Sequence, residues 1–377
     1  MLFKGRRICK GNIIMARIIA NHSVVSLYNT IPQSYIDEVK KMWISLAGES
    51  HSEAYRVGCE LLEGVDSKFQ VNVTDSGTPE AYTTTRLRIS RATWGDVNNS
   101  SGWIYYYGEE DWFTSATAIS RTKAGLQYCH NNGPALTALG FGWCWDTTYP
   151  GVAGTMDPVY YTRWGGCSDG GPQGDRPWGL DAADQALTGN SVCMDTYLNA
   201  TSEYISYCTA NNIPTKIIFT TGPIDAGYVG DNHDELGYQQ YLKYQHIRNY
   251  VNSLSDAYFL DYADILSYND AGVQETTTWV DGNGVLQTFP IIHSENYDGG
   301  YVAHIGNNGA LKLGKAIWWL LAKMAGWDAT PSILVTSITV TGAGGANTIS
   351  VDDGTLQLTA DILPVDATNQ TVTWSII

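Results

Sequence analysis

The stretch Trp43-Ile44-Ser45-Leu46-Ala47-Gly48-Glu49-Ser50-His51-Ser52 (WISLAGESHS, residues 43–52) decides how this chain reads. WISLA (43–47) is a short apolar run that stops at a glycine, which marks a buried strand. GESHS is a turn, and EAYRVGCELLEG directly after it reads as a helix. Gly48 lets the backbone turn tightly. A strand–turn–helix junction of this kind exposes the hydroxyl of Ser50 at the sheet edge. It also brings backbone N–H groups and the positive end of a helix close to that hydroxyl. Serine is equally a favoured helix N-cap, so Ser50 also has a purely structural reading.

Working outward, the same alternation of strand and helix continues through the chain. SYIDEVKKM (34–42) predicts a helix before the first strand, and FQVNV (69–73) a strand after the helix that follows it. Helix TSATAISRTKAGLQYCHNN is followed by strand ALTALGFGW, and helix CMDTYLNATSEYISYCTANN by strand TKIIFTTG. Helix YQQYLKYQHIRNYVNSL then leads to strand AYFLDYADIL, and NNGALKLGKAIWWLLAKMAG closes the domain as a helix. This alternation predicts an α/β sandwich around a mainly parallel sheet. Ligands of such sheets bind beyond the C-terminal ends of the strands.

A loop histidine, His304, lies in Ala303-His304-Ile305-Gly306-Asn307-Asn308-Gly309 just ahead of that closing helix. A neutral imidazole is the usual base for a serine hydroxyl. Together the Gly48-Glu49-Ser50 block and the His304–Gly309 block resemble the SGNH (GDSL-type) hydrolases over residues 36–325. The resemblance implies a flavodoxin-like three-layer sandwich and ester hydrolysis through an acyl-enzyme intermediate. Ser50 would be the nucleophile and His304 the base. Glu49 stands where the family has Asp, and Tyr301 where it commonly has the Asp that orients the histidine. Asp298 is the nearest replacement and Glu295 the next. The oxyanion hole would be the Ser50 N–H, Gly95 and Asn98. The family's third block should follow ALTALGFGW as GxND, but the chain reads Gly142-Trp143-Cys144-Trp145-Asp146, without the Asn donor.

Other residues are candidates for substrate contact. Glu49, His51, Trp143, Trp145, Asp146 and Asp225 all lie on segments that follow strands, towards the same face. Trp143, Trp145, Trp164 and Trp178 have two open readings, a sugar-stacking platform or core packing. His293 is a reserve base. Asp281-Gly-Asn283-Gly reads as a turn, because the other ligands of a calcium loop are absent. No cofactor and no metal is implied. A second reading, a carboxylate-type glycosidase or lyase, would place Glu49, Asp146, Asp225 and Asp298 on one face. A third is a non-catalytic glycan-binding protein on the same scaffold.

Composition agrees with two domains in 377 residues. Residues 1–328 carry the SGNH-like pattern. Residues 333–377 are rich in Thr, Val and Ile in period-2 runs separated by turns, which predicts short strands of a β-sandwich. VTSITVTG, GTLQLTADILPVDATN and TVTWS in this tail resemble a partial bacterial immunoglobulin-like group 2 domain. That resemblance implies an extracytoplasmic setting, although the N-terminus has no sustained apolar segment of a signal peptide. A net charge of −16 argues against a nucleic-acid partner. The 13 Trp and 24 Tyr favour a carbohydrate or polysaccharide substrate, the esterase then acting on its acyl, notably acetyl, groups. No apolar run is long enough to span a bilayer. Of the seven cysteines, Cys167 and Cys193 flank a Gly-rich loop and are candidates for a disulfide, with buried free thiols the alternative.

Overall fold

The computed structural model describes residues 17–48, 50–74, 83–91, 113–143, 155–166, 176–224, 233–298, 303–328 and 337–363, with 372 and 374. The chain divides into two units, Met1–Ala325 and Gly326–Ile377.

The first unit is built on a parallel sheet. Its strands are β1 (Ile18–Ala20), β2 (Trp43–Gly48), β3 (Val71–Thr74), β4 (Leu87–Ser90), β5 (Ala138–Gly142), β6 (Lys216–Thr220) and β7 (Tyr258–Leu260). They lie in the order β1-β7-β6-β5-β2-β4-β3, and every pairing is parallel. The run β4-β2-β5-β6-β7 has the flavodoxin-like order 2-1-3-4-5, with β3 and β1 added at the two edges. Strands β4 and β5 are buried along their whole length, as expected of a parallel sheet covered on both faces. The strand order reverses between β2 and β5, which is where such sheets open a crevice for ligands.

Helices α1 (Gln33–Val39), α2 (Glu53–Val65), α3 (Ala116–Asn132), α4 (Gln185–Thr188), α5 (Met194–Ala210), α6 (His233–Ser253), α7 (Tyr262–Ser267) and α8 (Asn307–Met324) flank it. One layer holds α1, α2 and α8, and the other holds α3, α5 and α6 side by side. Helix α8 buries residues around most of its circumference, including Leu313, Ile317, Trp318 and Leu321. A helix apolar all round belongs inside. It touches α1, α2, α7 and β1.

Glycines bring α2 and α8 unusually close. A Cβ on Gly58 would sit 1.9 Å from the Ala310 carbonyl oxygen, and one on Gly314 would sit 2.2 Å from the Gly58 oxygen. Neither position has room for a side chain.

Four strand features differ from the sequence reading, the first being β1, an edge strand that the reading did not place. AYFLDYADIL is not one strand: β7 stops at Leu260 and α7 begins at Tyr262. Asp261 ends the strand by capping that helix, its Oδ1 accepting from the Asp264 N–H at 3.2 Å. Arg248 holds the same carboxylate with two bonds of 2.7 and 2.8 Å. Strand β4 escaped notice because a charged residue interrupts it. Arg88 is buried there with its guanidinium 4.8 Å from the Trp43 ring. The third addition is an antiparallel hairpin, β8 (Thr276–Val280) with β9 (Leu286–Pro290). Its turn is the Asp281–Gly284 segment, where Asp281 Oδ1 accepts from the N–H groups of Asn283 and Val285, both at 2.9 Å.

In the second unit, β10 (Ser337–Gly342) pairs antiparallel with β11 (Leu358–Leu363). The later strands expected of a sandwich fall on residues 364–377, of which only 372 and 374 are among the described residues.

Substituting Gly314→Ala should destabilise the first unit by about 1–3 kcal/mol, because the added methyl overpacks a backbone contact. Gly64→Ala, in α2 with nothing within 4 Å of the added carbon, should instead be neutral or stabilise by about 0.5–1 kcal/mol. Urea melts of the two variants should move in opposite directions.

Candidate active site

The site is assembled at the reversal point of the sheet. Gly48 ends β2 opposite Gly142, which ends β5. Its φ is +147°, and a Cβ there would lie 1.8 Å from the Gly142 oxygen. Glycine is therefore required twice over, by conformation and by space. The backbone then enters a single 3-10 turn, Ser50–Ser52, which runs straight into α2. Ser50 is half-buried at the head of this turn, whereas His51 and Ser52 are buried. The free N–H groups at the start of a helix carry partial positive charge, and Ser50 stands at the head of the turn that leads into α2.

His304 arrives from the other end of the chain. It is exposed, and its ring centroid lies 4.8 Å from that of His51 at an interplanar angle of 34°. His51 precedes α2 and His304 precedes α8, and deeper in the layer Gly58 meets Gly314. The contacts advance in step, so the two helices run in the same direction with their N-termini together. His304 is thus beside the residue that follows Ser50.

The backbone at His304 is strained. Ala303 and His304 have φ of +47° and +62°, two successive non-glycine residues in the left-handed region. Such a conformation costs roughly 1–2 kcal/mol per residue and persists where its surroundings impose it. Here residues 296–298 impose it. The Asn296 carbonyl accepts from the Gly306 N–H at 3.1 Å, and Asp298 Oδ2 accepts from the Asn307 N–H at 3.1 Å. Asn296 is itself anchored, donating from Nδ2 to the carbonyls of Leu266 and Tyr268 at 2.7 and 2.8 Å.

His51 is 5% exposed. Burial first, and the neighbouring His304 second, push its pKa down to about 3. It is a neutral ring at any ordinary pH.

The other expected residues fare differently. Asp298 is exposed and serves as a cap for α8; none of the hydrogen bonds among the described residues joins it to His304. Trp143 is not a stacking platform. It is 1% exposed, donates from Nε1 to the Thr220 carbonyl at 2.9 Å and packs against Tyr197. Trp164 and Trp178 are likewise core residues. His51 is too buried to line a substrate entrance. His293 caps a short turn, Nδ1 accepting from the Glu295 N–H at 3.1 Å. Cys193 is a buried free thiol. Glu49, Gly95, Asn98, Trp145, Asp146, Asp225 and Cys167 lie outside the described residues.

Two arrangements were missed in the sequence. On α6, Glu235, Gln239 and Lys243 stand four residues apart on one face and grip the segment 163–165. Glu235 Oε1 accepts from the Arg163 N–H at 2.8 Å, Gln239 Oε1 from the Gly165 N–H at 2.9 Å, and Lys243 Nζ donates to the Gly165 carbonyl at 3.0 Å. The i, i+4, i+8 spacing of polar residues was the available signal. The second is His22, whose Nδ1 is 2.5 Å from Asp264 Oδ2 and whose ring stacks on Tyr268. His22 and Tyr268 line a cavity of about 430 Å³ with Tyr28, Lys312 and Lys315.

No family model matches the chain, and no curated protein matches it. Among solved structures, it is similar to a protein of Desulfitobacterium hafniense DCB-2 named as lipolytic and of the G-D-S-L family. Identity is 9% and the TM-score 0.31, over 74% of this chain and 99% of that one. It is also similar to a protein of Streptococcus pneumonia named as a platelet activating factor, at 12% identity and a TM-score of 0.32, over 79% and 94% of the two chains.

Between about pH 6.5 and 3 the unfolded chain binds a proton at His51 that the folded chain refuses. Stability attributable to this residue is therefore complete above pH 6.5 and falls as the pH is lowered, by about 1.4 kcal/mol per pH unit. Between pH 6.5 and 5 the wild type should lose about 2 kcal/mol more than His51→Phe, read from urea melts at the two pH values.

Proposed function

We propose that this chain is a serine esterase, with Ser50 as nucleophile and His304 as general base. The observation that carries the reading is the His304 ring lying against His51, the residue after Ser50, at the point where the strand order reverses. A half-buried serine on a forced strand–turn–helix junction and an exposed histidine on a strained loop have no shared structural duty. As nucleophile and base they do.

In this reading Ser50 Oγ attacks the acyl carbon while His304 takes the hydroxyl proton. The negative oxygen of the tetrahedral intermediate is met by the Ser50 N–H and the N-terminal end of α2. Gly95 and Asn98 are proposed as the remaining donors. Collapse breaks the ester bond, His304 returns the proton to the leaving alcohol, and acyl-Ser50 remains. Water, deprotonated by His304, then attacks this ester; the acyl–Oγ bond breaks, His304 returns the proton to Ser50 Oγ, and the carboxylic acid leaves. Asp298 supports the reaction at one remove, by capping α8 and holding the loop that carries His304.

The substrate proposed is an acyl ester, notably an acetyl ester, of a carbohydrate outside the cytoplasm. The abundance of Tyr and Trp supports this, with Trp145, Asp146, Asp225 and Glu49 as substrate contacts. Among the described residues no helix is long and apolar enough to cross a membrane.

A fluorophosphonate probe should label wild-type protein at Ser50 and should leave Ser50→Ala unlabelled. His304→Ala should slow labelling and ester turnover by about 10²–10⁴-fold. Unchanged turnover of acetyl esters by Ser50→Ala would overturn the assignment.

A further inference from the structure

A base that works on serine needs its imidazole held in one orientation, a duty commonly met by a carboxylate bonded to its far nitrogen. In this chain Asp298, the carboxylate nearest along the sequence, accepts from the Asn307 N–H at the start of α8, and none of the hydrogen bonds among the described residues joins it to His304. The described group that does meet the His304 ring is another ring, His51, at 4.8 Å and a tilt of 34°.

We propose that His51 is the positioning residue for His304, its buried ring forming the wall against which the base is held.

Three features support this. His51 sits immediately before α2, whose packing on α8 is set by backbone contacts at Gly58 and Gly314, so the wall is fixed relative to the loop it supports. His304 is exposed and on a left-handed residue, so its ring gains little order from its own surroundings and can gain it from the face it touches. Finally, burial keeps the proton off His51, and a charge on His304 opposes one there. His51 therefore stays an uncharged ring beside His304.

The inference rests on the esterase reading, and it differs from a merely structural role for His51 in what replaces it. His51→Phe keeps a flat ring; His51→Leu fills the space without one. With both variants folded by circular dichroism, His51→Phe should keep kcat within about threefold of wild type. His51→Leu should lose about 10–10²-fold in kcat with KM within twofold, the scale expected of a misplaced reacting group. A His51→Leu enzyme with wild-type kcat, or a His51→Phe enzyme as slow as His51→Leu, would overturn the proposal. A readout free of turnover separates this from the esterase reading. Carbethoxylation of His304 by diethyl pyrocarbonate, followed by peptide mass spectrometry, should be faster in His51→Leu than in wild type and unchanged in His51→Phe. Equal rates in all three proteins would sink the positioning role even if Ser50 proves to be the nucleophile. If fluorophosphonate leaves wild-type Ser50 unlabelled, the esterase reading falls, and the carbethoxylation rates still decide whether His51 holds His304.

Discussion

The close approach of α2 and α8 through Gly58 and Gly314 is the constraint on which the rest of the site depends. Ser50 and His304 are more than 250 residues apart in the chain, and each sits on a turn leading into one of these helices. A side chain at either glycine would push the helices apart at backbone level, where no rotamer change could absorb it. Glycine within a helix sacrifices roughly 0.5–1 kcal/mol of stability relative to alanine. The chain accepts that loss where it sets the separation of two helix N-termini. Gly48 against Gly142 repeats the device at the strand ends, so the floor and the two walls of the site are all fixed by backbone contact.

Fixed backbones also explain how the strain at Ala303 and His304 survives. A left-handed pair of non-glycine residues would relax if the following helix were free to shift. It is not free: α8 is buried among α1, α2, α7 and β1, and Asn296 and Asp298 hold its first turn. The energy that sustains the conformation comes from burial of Leu313, Ile317, Trp318 and Leu321, far from the reacting groups. Strain local to a histidine and paid by a remote core is the pattern expected of a functional loop.

Much of the fold was legible because its signals are local. WISLAG, ALTALGFG and TKIIFT are short segments with apolar centres, and the helices between them carry their own periodicity. The failures also have local causes. Arg88 hid β4 because a buried charge stacked on Trp43 looks polar in a sequence. Asp261 hid the end of β7 because its role as a cap is apparent only once Arg248 and Thr221 are seen holding it. In the candidate site, turn chemistry and order along the chain singled out Ser50 and His304. For Trp143 and His51 packing and substrate contact both stayed open, because lying after a strand end does not say which way a side chain points. Both are buried.

The polar ladder on α6 shows how a loop segment can be held rigidly through its main chain. Glu235, Gln239 and Lys243 bind main-chain groups of residues 163 and 165, so their grip is indifferent to the side chains carried there. Lys243 is fully buried, and a buried ammonium is tolerated only with acceptors in place. The Gly165 carbonyl is one of them, and losing it would leave a charge in the interior. The segment is therefore held more firmly than its loop-like sequence suggests. On the other side of residues 144–154, Trp143 is pinned to Thr220. Residues 143 and 165, on either side of the stretch that follows β5, are thus both tied to buried groups of the first unit.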